Sequence, residues 1–104
     1  MKDFKTSEEI VNHVSEAIHE VTGISFAEFT ERIKKMEYVY ARMMFTHNCF
    51  NLGMNIREIS KYLFRDRVTI IHSLKKFDDE YRYNKQFRMM ADRVKELINR
   101  YDSY

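Results

Sequence analysis

The chain has no proline, no tryptophan, two glycines and one cysteine in 104 residues. With Gly confined to positions 23 and 53, it has little of the turn vocabulary that sandwiches and barrels need. Cys49 alone excludes an intrachain disulfide and any cysteine-rich zinc site, which suits a reducing compartment. No stretch approaches the roughly 18 uninterrupted apolar residues of a spanning helix, and the opening M-K-D-F-K-T-S-E-E lacks a signal-peptide core. A soluble cytoplasmic protein is expected, with no membrane partner.

Chemistry is sparse as well. There is no G-x-x-x-x-G-K-[ST] loop or other glycine-rich phosphate cradle, so no nucleotide cofactor is implied. Acidic residues are scattered without a Ser/His/Asp or Cys/His constellation, and the expected fold offers no evident cleft, so an enzyme is not expected. His13 and His19, six residues apart, fall on different faces of a helix and no Asp, His or Cys partner completes a set, so no metal is expected.

What remains favours helices. Met, Lys, Glu, Leu and Arg are plentiful, and a 44% hydrophobic content over this length suits a single all-α domain spanning residues 1–104. Its charge is unevenly placed. Residues 1–30 hold two basic and six acidic groups, a local −4; residues 31–77 hold ten and four, a local +6; residues 78–104 hold six of each. A basic central block is the footprint expected of a nucleic-acid-binding face, although a solvated basic surface gives the same count.

Capping pairs mark the helix starts. Thr6 with Glu9 opens a stripe of Ile10, Val11, Val14, Ile18 and Val21 that ends at Gly23. Ser25 with Glu28 opens a short helix, with Ile24 stapling onto Phe29. After E-R-I-K-K, a long central helix is expected to present Met36, Val39, Tyr40, Met43, Met44, His47 and Phe50 as one broad apolar face of plain core filling. Asn84 caps a last helix with a stripe of Phe87, Met90, Ala91, Val94, Leu97, Ile98 and Tyr101, and the tail from Asp102 to Tyr104 is expected to fray.

The informative stretch is N-I-R-E-I-S-K-Y-L-F-R-D-R-V-T-I-I-H-S-L-K-K-F, Asn55 to Phe77. Asn55 with Glu58 caps a short helix carrying Ile56, Ile59 and Leu63; Asp66 then caps a second one, ending near Arg82, whose buried stripe would be Ile70, Leu74 and Phe77. A helix-turn-helix over about 55–81 is expected. The opposite face of the second helix begins with Arg67 and Val68 and runs through Ile71 to Lys75, the layout of a recognition helix, with Arg57, Lys61 and Arg65 beside it.

The residues themselves carry a likeness. R-D-R-V-T-I-I-H, Arg65 to His72, resembles the R-D-H-[ST]-T-V-[IL]-H signature of domain IV, the DNA-binding domain of the bacterial replication initiator DnaA. I-R-E-I-S from Ile56 looks like that family's S-L-x-E-I-G helix, and A-R-M-M-F from Ala41 its A-R-Q-I-A run. With the segment from Ile24 to Phe29, the likeness covers roughly residues 8–100. It implies a five- or six-helix, Trp-repressor-like domain that binds double-stranded DNA, standing apart from the initiator's ATPase module. By resemblance, Arg67, Val68 and Thr69 would read bases in the major groove, while Arg65, Lys61, His72 and Lys75 would hold phosphates. Arg32, Lys34, Lys35 and Arg42 match the basic start of the family's central helix and the loop before it.

Departures from the family are specific. Arg67 stands for His and Val68 for a hydroxyl residue, Tyr38 and Tyr40 stand where Arg is usual, and Phe64 replaces a paired Gly. Arg67 would prefer a guanine and Val68 a thymine methyl. The implied role is replication control, transcriptional regulation or the biology of a mobile element, with other replication or regulatory proteins as further partners. The alternative from another class is a helical protein-interaction module that has lost DNA binding.

Overall fold

Helices start where the sequence provides a capping oxygen. In the computed structural model, which describes residues 6–100, Thr6 Oγ1 accepts the Glu9 N–H at 3.1 Å and starts α1 (Ser7–Thr22). Gly23 ends it in the left-handed region, at φ 76°, with its N–H on the His19 carbonyl. Ser25 and Asn55 form full capping boxes with Glu28 and Glu58, opening α2 (Phe26–Phe29) and α4 (Ile56–Leu63). Lys35 precedes α3 (Met36–Asn51) without a side-chain cap. Asp66 Oδ1 accepts the Thr69 N–H at 2.8 Å and starts α5 (Arg67–Tyr83).

Asn84 joins three helices. Its Oδ1 accepts the Phe87 N–H at the start of α6 (Lys85–Arg100), while its amide donates to Tyr40 Oη on α3 and to Glu80 Oε2 on α5. The six helices make an all-α fold with no strand among the described residues. None is long and apolar enough to cross a membrane. Tyr101 and the tail from Asp102 lie outside the described residues.

The central helix is buried on more than one side. α3 packs against α1, α2, α4, α5 and α6, so Phe45, Thr46, Asn48 and Cys49 are buried alongside Met43 and Met44. This corrects the expectation of one apolar face: Met36 and Phe50, placed on that face by periodicity, are exposed at the helix ends. Phe26, Phe29 and Phe45 meet with ring centroids 5.4 to 5.5 Å apart, a cluster in which edge and tilted contacts add to simple burial. Burial also pushes the Cys49 thiol well above its ordinary pKa, which leaves it protonated and inert. His13 is a core group, with Nε2 3.0 Å from the Ile98 carbonyl.

On α5, Ile70 and Phe77 are buried but Leu74 is only half-buried, a second correction to the expected stripe. Phe77 stacks on His47 of α3, and Ser73 rather than Leu74 stands beside Ile70 along the cleft between α3 and α5. Leu74→Ala is therefore expected to cost about 1 kcal/mol, the transfer term of a partly exposed side chain without a full cavity term. Chemical denaturation checks this, with Ile70→Ala losing clearly more.

Candidate nucleic-acid interface

The helix pair is joined by only three residues, Phe64, Arg65 and Asp66. Phe64 turns the chain in the left-handed region, at φ 55° and ψ 43°, where the resemblance led one to expect glycine. A Cβ residue there costs roughly 1 to 2 kcal/mol, yet the Phe64 ring gains nothing from the core, being 71% exposed.

Arg65 follows, and it is committed inward. Its Nη1 donates to the carbonyls of Leu63, at 2.7 Å, and Thr30, at 3.1 Å, and its Nη2 to that of Glu31 at 3.0 Å. Arg42 approaches the same loop from α3, donating to the carbonyls of Phe29, Glu31 and Ile33 at 2.9 to 3.2 Å. Both guanidiniums thus share the Glu31 oxygen and hold the irregular segment 30–35 against the helix pair. Burial, then the neighbouring Arg65 charge, pulls the pKa of Arg42 down; burial, then Arg32, does the same to Arg65. Residues read from the sequence as phosphate contacts are, in the fold, first of all ties between backbone segments.

The exposed candidates fall into three groups. Arg67, Val68, Ile71 and Lys75 share the outer face of α5, at helical spacing, and His72 stands between that face and the cleft beside α3. Arg57 and Lys61 lie one turn apart on the surface of α4. Arg32, Lys34 and Lys35 are exposed on the clamped loop and at the start of α3. Thr69 donates its N–H to Asp66 and turns toward a cleft between α3 and α5, together with Ser73 and Lys76. The sequence reading missed Ser73 and Lys76; their spacing from Thr69, four and seven residues, marks the edge of α5 that carries them. It also anticipated no cleft, and there is one of about 310 Å³ here and another of about 620 Å³ between α3, α5 and α6.

None of these residues forms an ion pair with a carboxylate among the described residues, although His72 lies in the field of Asp66 and Lys61 in that of Glu58. Among the described residues the ion pairs are Arg93–Glu96 and Arg100–Glu96, both within α6. Glu58, the acid nearest Lys61, is tied up: Ser7 Oγ donates to it and so does the Asn55 N–H, and these two hydrogen bonds hold its carboxyl below the usual range. Asp66 is spent as a cap. No group of His, Cys, Asp and Glu able to hold a metal ion occurs among the described residues. No family model, curated protein or solved structure matches the chain.

The Asp66 cap gives a pH prediction for the site. The Thr69 N–H, then its hydroxyl, lowers the Asp66 pKa from its ordinary value of 3.8. A depressed carboxylate contributes stability above its unfolded pKa and loses it as pH falls through the lower folded value. The Thr69 amide resonance is expected to titrate below pH 3.8. Asp66→Asn should keep the cap and remove that titration, since Asn caps about as well as Asp. A Thr69 midpoint at or above the ordinary aspartate value would mean that the cap bond is not formed in solution.

Proposed function

We propose that the chain binds double-stranded DNA, with α5 as the recognition helix entering the major groove and the 30–35 loop and α4 flanking it. The observation that carries this reading is the outer face of α5. Arg67 and Lys75 stand there without an ion-pair partner, around an exposed Val68, beside further cations on α4 and the loop that form no ion pair among the described residues. The likeness of Arg65 to His72 to the signature of initiator domain IV supports the same reading. Side chains at the start of the helix, Arg67 and Val68, read base edges; Lys75, two turns on, meets the backbone.

Selection of bound sequences from a random duplex pool tests it, followed by two variants. Arg67→Ala should cost about 1 to 3 kcal/mol on the selected site and flatten the preference at one base pair, whereas Lys75→Ala should weaken all duplexes alike. Equal losses on selected and random duplexes for Arg67→Ala would reduce Arg67 to a phosphate contact. No enrichment and no binding at low salt would remove the reading altogether.

A second reading has its own observation. Val68 and Ile71, three residues apart on α5, are 62% and 38% exposed and make a short apolar strip, and Phe64, in the turn before that helix, is 71% exposed. Such a strip also suits a protein partner, and the silence of duplex titrations would favour it.

A further inference from the structure

The cleft between α3 and the first half of α5 is lined by Arg42, Arg65, His72 and Lys76 and by no carboxylate. Two reachable hydroxyls join them, from Thr69 and Ser73, with Thr46 on the floor behind them. Thr46 is fully buried and its Oγ1 has no hydrogen-bond partner, a state that native interiors seldom leave standing. Neither guanidinium exhausts its N–H donors on the loop carbonyls it holds, so both retain donors as well as charge. The remaining wall is apolar, from Met43 and Ile70.

We propose that this cleft is a binding site for a small phosphate ester, whose phosphate sits among Arg42, Arg65 and Lys76 while its remainder lies on the apolar wall. Three permanent cations without a counter-ion make a field that favours a compact anion of more than one charge. Hydroxyl donors complete its hydrogen bonds. A cleft of about 310 Å³ is at the small end of ligand sites, room for a phosphate and one ring system and for little else. The proposal goes beyond DNA binding and does not depend on it, because the site is complete in the free chain.

The test is a titration of the isotope-labelled full chain, without DNA, at constant ionic strength, following backbone amide resonances. Inorganic phosphate and adenosine monophosphate are the probes; adenosine and sodium chloride are the controls. Saturable shifts are expected at Thr46, Thr69 and Ser73 with both phosphates, adenosine monophosphate binding more tightly. Lys76→Gln should weaken both probes by about threefold or more, while Lys75→Gln, on the outer face of α5, leaves them unchanged. Arg42 and Arg65 are left intact because they hold the loop. Shifts spread evenly over Lys34, Arg57 and Lys61 would show diffuse screening and overturn the proposal. So would adenosine binding as well as its monophosphate, or an affinity indifferent to Lys76→Gln. A response at these residues to duplex alone would assign the cleft to the DNA backbone instead.

Discussion

Raising salt about fourfold is expected to weaken the chain's binding to a DNA duplex by roughly 250- to 1000-fold, a slope of log K against log salt of about −4 to −5. The magnitude follows from which cations are free. Residues 31–77 contain ten Lys and Arg. Arg42 and Arg65 are occupied by carbonyls and half-buried, which leaves eight exposed: Arg32, Lys34, Lys35, Arg57, Lys61, Arg67, Lys75 and Lys76. They lie on two helices and a loop, so one duplex meets about four to six of them. Each phosphate neutralised releases counterions and adds about 0.9 to the slope. Fluorescence anisotropy at several salt concentrations reads it directly. A flat dependence would mean that the basic block is a solvated face, and the protein-partner reading would take its place.

Much of the scaffold was legible because helix starts are written locally. Thr6, Ser25, Asn55 and Asp66 each cap the helix the sequence assigned to them, and Asn84 starts the last one, since an Asn, Asp, Ser or Thr oxygen reaches an N–H only three residues away. Periodicity was less informative about depth. It aligned Leu74 with Ile70 and Phe77, and Met36 and Phe50 with Met43, but it does not say where a neighbouring helix stops covering the stripe. It also failed on α3, whose burial on several sides leaves no polar face to set the phase.

The interface divides in the same way. The outer face of α5 follows from helical spacing after a visible cap, so Arg67, Val68, Ile71 and Lys75 were found together, while His72 came from the resemblance alone. The inward turn of Arg42 and Arg65 was not visible, because the carbonyls they meet lie 13 and 35 residues away at Phe29 and Thr30. A sequence names a guanidinium but not its acceptor. Phe64 is the other surprise: its left-handed conformation is forced by a turn of three residues, where local preference argues for glycine.

The double replacement Arg42→Ala and Arg65→Ala is expected to destabilise the fold by about 3 to 5 kcal/mol and to release the 30–35 segment. The carbonyls of Phe29, Thr30, Glu31, Ile33 and Leu63 all accept from these two side chains, and the loop makes no regular helical ladder of its own. A partly buried carbonyl left without a donor costs about 1 to 3 kcal/mol, less where water reaches it. Because both arginines share the Glu31 oxygen, either single variant should leave that acceptor served, and the double loss should exceed the sum of the single ones. Lysine should not rescue Arg65, since one ammonium cannot span acceptors on two segments as the fork does. Chemical denaturation gives the stability, and amide exchange at residues 30–35 locates it. DNA binding separates this role from a phosphate contact: Arg65→Ala should weaken binding by loosening Arg32, Lys34 and Lys35 while leaving the salt slope within about half a unit. Unchanged stability together with a slope reduced by about 1 would make Arg65 a phosphate ligand, and the clamp would have to be withdrawn.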